Sequence, residues 1–93
     1  MRLPDPPKAV DWLEVREVGD EVVVHDRHTE KIHVLNATAG RVLGTCDGKH
    51  SLDEIALDLG RGTGVEPARV RDDVERIVAT FVQLGVIEPV RPA

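Results

Sequence analysis

Cysteine occurs once in this chain, at position 46, which excludes an internal disulfide and leaves no CxxC pair for metal or redox chemistry. A reducing, cytoplasmic setting suits that usage. No apolar run approaches the length that spans a bilayer, so no membrane role follows from the sequence. The opening residues Met1 to Val10 are rich in proline and charge, unlike a signal peptide. Positive charge is also short: the formal net charge is −5 and the pI near 5.3. The bulk field therefore opposes phosphate, and nucleic acid is not an expected partner. No fixed-period repeat is visible. At 93 residues the chain makes one small domain with a single core, too little for a deep enzymatic cleft on its own scaffold.

What is present centres on residues 32–48. Ile32 and Val34 alternate with Lys31 and His33, the period of a half-buried strand, and the pattern puts Ile32 and Val34 inward. Asn36 then stands where a helix N-cap belongs. Ala39, Val42, Leu43 and Cys46 share one helical face, and Gly48 is placed to end that helix. Upstream, Trp12 to Val18 alternates weakly. Gly19-Asp20 is a two-residue hairpin signal, and Glu21 to Asp26 forms a second strand with Val22 and Val24 inward. Lys31 to Leu35 is the third strand of an antiparallel meander with helices on one face.

The second half is helical. Ser51 and Glu54 form a capping box ahead of Leu52, Ile55, Ala56 and Leu59. Gly60 to Gly64 closes that helix, and Pro67 opens the next. Val70, Val74, Ile77, Val78 and Phe81 give it one apolar face, with Gly85 as its cap. Val86-Ile87-Glu88 returns as a short strand or wing. The expected organisation is a flexible segment over 1–11, an ordered domain over 12–88 and a tail over 89–93. The fold class is α+β: a three-stranded antiparallel sheet followed by three helices, in the outline of a winged helix-turn-helix.

Leu35-Asn36, Thr38-Ala39, Cys46-Asp47-Gly48, Glu54-Ile55-Ala56, Asp73-Val74, Phe81 and Gly85 to Glu88 follow in an order that resembles the PqqD family. These are small peptide chaperones, also called precursor-peptide recognition elements, and the resemblance spans roughly Val15 to Glu88. It implies a non-catalytic adaptor that binds the leader of a ribosomally made precursor peptide and presents it to a modifying enzyme, often a radical S-adenosylmethionine protein. It implies that the leader adds as a strand along the third strand, beside the third helix. Carried over residue by residue, the contact positions are Lys31, Ile32, His33, Val34 and Leu35, with Arg69, Asp72, Asp73, Arg76 and Ile77 on the helix. The family often has tryptophan where Leu43 stands and an aromatic near Thr63. Here the loop at Thr63 is rich in glycine, which implies looser packing.

Other readings carry less. His25, His28 and His33 lie close in sequence, but no second cysteine or carboxylate stands at ligand spacing, so no metal is expected. Gly60 to Gly64 lacks the GxxxxGK[ST] ending of a phosphate loop, and no cofactor is expected. Cys46 on an apolar face reads as packing. Nothing resembles an acid–base pair or an activated nucleophile, which disfavours an enzyme. The alternative to the adaptor is a winged-helix transcriptional regulator with its third helix in a DNA groove. Glu66, Arg69, Arg71, Asp72, Asp73, Glu75 and Arg76 give that helix mixed charge, which opposes phosphate. The oligomeric expectation is a monomer or a homodimer through the open strand edge.

Overall fold

Gly19 adopts φ 60 in the two-residue turn between β1 (Leu13–Val18) and β2 (Glu21–Asp26). That is the positive-φ first position of a hairpin turn that matches the strand twist. A second hairpin joins β2 to β3 (Lys31–Asn36) through four residues, Arg27 to Glu30. Glu30 takes φ 61 there, and the Asp26 carboxylate accepts the amides of His28 at 2.9 Å and Thr29 at 3.0 Å. Burial pushes the Asp26 carboxyl up, but these amide bonds outweigh it and hold it below the usual carboxylate range. The computed structural model describes residues 2–89. It has the order β1-β2-β3-α1-α2-α3, with an antiparallel sheet in sequence order.

Helix α1 (Ala37–Gly44) starts where expected, with the Asn36 side chain accepting the Ala39 amide at 2.8 Å. It ends sooner than the apolar pattern implies. Thr45 caps it, and Cys46 is buried one residue further on. Gly48 (φ 80) does not close the helix. Its amide donates to the Pro7 carbonyl at 2.9 Å, and a side chain there would press on Lys8.

Helix α2 (Leu52–Gly60) carries both halves of the Ser51/Glu54 capping box. Helix α3 (Pro67–Leu84) begins with proline at its first turn and ends on left-handed Gly85. Val70, Val74, Val78 and Phe81 are buried along α3, with Ile77 partly so. Each of the four contributes about 1.5–3 kcal/mol of apolar burial, which makes α3 the core's main support. Val22, Val24 and Leu35 from the sheet, Val42 and Leu43 from α1, and Ile55 from α2 complete that core.

Two expectations need correction. The N-terminal segment is not a flexible lead-in over residues 2–11. Ala9 donates to the Cys46 carbonyl at 2.8 Å and Val10 to the Val86 carbonyl at 3.0 Å, while Glu88 donates to Lys8 at 2.8 Å. Pro7 is buried, and the Asp5 carboxylate accepts the Leu52 amide at 2.9 Å. The prolines forbid helix, yet their carbonyls still accept hydrogen bonds and their rings still pack. Val86-Ile87 therefore pairs with this segment, through Ala9 and Ile87. The expected tail over 89–93 lies, beyond Pro89, outside the described residues.

The second correction concerns β3, which faces the other way. Ile32 is 65% and Val34 59% exposed, whereas Leu35 is buried and His33 half-buried. The register dictates this. Leu35 lies opposite Val22 and His33 opposite Val24, and residues directly opposite in an antiparallel pair share a face. Val22 and Val24 face the helices, so Ile32 and Val34 stand on the outer face. On β1, Val15 shares the inner face but lies beyond the helical cover. It lines an open groove against α1, of about 540 Å³, with Val22 and Gly40.

Candidate functional site

The open edge of β3 follows from hairpin geometry. A two-residue loop closes on a hydrogen-bonded pair, here Val18 and Glu21, and such pairs alternate with non-bonded ones along the ladder. Glu21, Val23 and His25 therefore bond to β1, and Val22, Val24 and Asp26 turn to β3. Their partners Leu35, His33 and Lys31 are committed to the internal ladder. Ile32 and Val34 point their N–H and C=O groups away from β2, toward the edge at which, among the described residues, no further strand follows.

The predicted strand positions thus divide. Lys31 is exposed beside the β2–β3 turn, and Leu35 is part of the core. His33 faces the core side, with its Nε2 buried and without a hydrogen-bond partner. Only Ile32 and Val34 combine an open backbone with an exposed side chain. The register carried the missing signal: with a four-residue loop after Asp26, the inward valines of β2 decide the facing of β3.

On α3, Arg69, Asp72 and Arg76 are exposed, while Asp73 and Ile77 are half-buried. Arg76 meets Asp73 at 3.5 Å, and Ile77 packs against the core. Leu35 at the end of β3 and Val70, Val74, Val78 and Phe81 of α3 belong to one buried core, with Val42 and Leu43 of α1 in the same cluster.

The sequence matches the family of coenzyme PQQ synthesis protein D (PqqD) over residues 21–87, from the first residue of β2 to the pairing after α3. The chain belongs to the PqqD family. No curated protein matches it in sequence.

Solved structures share the PqqD-type architecture at low identity. TbiB1, solved in complex with the TbiA(beta) leader peptide, superposes with a TM-score of 0.79 at 19% identity over 91% of this chain and 99% of that one. A lasso peptide synthetase B1 complexed with its leader peptide gives 0.78 at 20% identity, covering 90% and 99%. The PqqD truncation of Methylobacterium extorquens PqqCD, described as a stand-alone recognition element for ribosomally synthesised and post-translationally modified peptides, gives 0.74 at 24%, covering 88% and 87%. All three carry this sheet-then-helices fold.

Where the PqqD resemblance departs, at Thr63, the loop leaves a cleft between α2 and α3. It measures about 350 Å³ and is lined by Leu57, Val65, Pro67 and Val70. Burial, with Asp47 adding to it, pushes the Cys46 thiol up to about 12, so it stays protonated and packs. His25 lies between Glu14 at 3.8 Å and Glu30 at 3.4 Å, on the outer face, while His33 faces inward. Among the described residues no group of three or more His, Cys, Asp or Glu is arranged to hold a metal ion. Nor is any helix there long and apolar enough to cross a membrane.

Proposed function

We propose that this PqqD-family chain is a non-catalytic adaptor. It takes the leader of a ribosomally made precursor peptide as an added strand on β3 and presents it to a modifying enzyme, such as a radical S-adenosylmethionine protein. The observation that carries the reading is the unpaired edge of β3 at Ile32 and Val34. Backbone bonds there give affinity to any extended peptide, and side chains alongside give selectivity. Exposed Arg69, Asp72 and Arg76 on α3 offer a mixed-charge surface for the leader beyond the strand or for the enzyme. The adaptor acts in the cytoplasm and uses no metal or cofactor of its own.

Amide exchange tests the strand addition. Peptides selected for binding from a random twelve-residue display library serve as the probe. Free protein should protect Lys31, His33 and Leu35 through the internal ladder, with Ile32 and Val34 exchanging fast. Saturating peptide should slow Ile32 and Val34 at least tenfold. If both keep their free-state rates, the peptide docks elsewhere and the mechanism fails.

A further inference from the structure

Ile32 and Val34 are the residues whose backbone is open, and they are also the residues whose side chains stand on the outer face of the sheet. A strand that bonds to their N–H and C=O groups must place alternate side chains on that same face, beside them. We propose that the accepted peptide carries two apolar side chains two residues apart, which cover Ile32 and Val34, and that these pairs select it. The proposal rests on the strand-addition reading and adds what the bound strand must look like. The intervening residue turns to the other face, toward His33.

The rows across the sheet support this. One row runs Glu14, His25, Ile32, the next Arg16, Val23, Val34, and the last, beside the first turn, Val18, Glu21, Asn36. Of the three outer positions at the β1 edge, Glu14 and Arg16 are charged, the usual protection of an edge against chance pairing, and the third, Val18, is an exposed valine beside the turn. At the β3 edge Ile32 and Val34 are branched and apolar, the third outer position, Asn36, is the helix N-cap, and half-buried Val23 continues the apolar surface inward. In the two rows that hold Ile32 and Val34, charge stands at the β1 edge and apolar side chains at the β3 edge, which is the edge left open to a reading strand.

A second copy of this chain is the competing occupant. It would offer only the same two open residues before α1 begins at Ala37. That is a small fraction of the roughly 800 Å² per partner that stable association buries. A peptide is free to continue past the strand onto α1 and α3.

The test selects twelve-residue peptides from a random display library against the wild type and against Ile32→Thr/Val34→Thr. Threonine keeps the branched strand preference, and matched melting curves confirm the fold. Wild-type peptides should carry apolar residues at two alternate positions. Each single threonine should weaken them up to about fivefold, and the double variant should lose the apolar preference. Peptides that protect the Ile32 and Val34 amides without that pattern, and bind the double variant equally, overturn the proposal and leave strand addition standing. Peptides that leave those amides unprotected overturn both. A dimer by light scattering that the double variant abolishes assigns the face to a second copy and overturns it too.

Discussion

His33 lies directly opposite Val24 in the β2–β3 ladder, so its ring stands on the helix side of the sheet while Ile32 and Val34 flank it on the outside. This one pairing sorts the strand into residues that hold the fold and residues that are available to a ligand.

A proline scan should separate them. His33→Pro removes a donor to β2, about 0.5–1.5 kcal/mol for the bond alone, and should lower the melting temperature. Ile32→Pro and Val34→Pro remove donors that face solvent. They should melt near the wild type yet lose about two- to tenfold in affinity for a display-selected peptide, measured by calorimetry.

Alanine at the same positions should follow the facing. Ile32→Ala and Val34→Ala sit on the exposed face and should shift stability by no more than about 0.5 kcal/mol. Leu35→Ala, in the core, should cost about 2–5 kcal/mol by urea unfolding.

Gly40 and Gly44 share helix α1 and should respond with opposite sign. A Cβ at Gly40 would come within 2.8 Å of Val22 Cβ, so Gly40→Ala should destabilise by about 1–3 kcal/mol through overpacking. Nothing lies within 4 Å of a Cβ at Gly44, and Gly44→Ala should stabilise by about 0.4–1 kcal/mol. Urea midpoints for the pair check both.

How much of this was legible depends on range. The α2 and α3 boundaries lie in signals a few residues apart: Ser51 with Glu54, Pro67, and Gly85. Local rules read such signals correctly. Ile32 and Val34 were assigned inward because a period-two pattern fits either face equally well, and only the partner strand chooses between them. The apolar pair was mistaken for core when it is surface. The N-terminal segment was missed for a related reason. Its prolines announce what the backbone cannot do locally, whereas Ala9 finds its partner at Ile87, far along the chain. The resemblance puts Arg69, Asp72, Asp73, Arg76 and Ile77 on an exposed flank of α3; Arg69, Asp72 and Arg76 are exposed, whereas Asp73 and Ile77 are half-buried, because they border the buried stripe of Val70, Val74 and Val78.

The Asp47–His50 pair gives a pH signature. The Asp47 hydrogen bond at 2.9 Å, then its charge, raises His50 above its ordinary 6.5. The same bond, then the Lys49 amide, lowers Asp47 below 3.8. His50's contribution is complete below 6.5 and is lost as pH rises through its raised value. Asp47's is complete above 3.8 and is lost as pH falls through its lowered value. The melting-temperature gap between wild type and His50→Ala should therefore be widest between 3.8 and 6.5 and close as pH rises through His50's raised value. Both groups are exposed, so high salt should shrink it at every pH.

Cys46 reports on the N-terminal segment. Deleting residues 1–9 removes the Ala9 amide from the Cys46 carbonyl and Pro7 from its buried site. Reaction with a thiol-specific disulfide reagent should accelerate at least tenfold under native conditions, while the intact protein stays almost inert.

The antiparallel contact of Ala9 with Ile87 brings residues near the two ends of the described residues side by side, with Val10 bonded to Val86 and Glu88 to Lys8. Topologically the domain is a nearly closed ring with a single gap. Such a ring can be joined through a short linker and reopened at an exposed turn such as Gly62-Thr63-Gly64 with its sheet undisturbed. It can equally be inserted into a larger enzyme through one site. A fused partner would then be attached at the Ala9–Ile87 seam, leaving the β3 edge to whatever peptide comes to it.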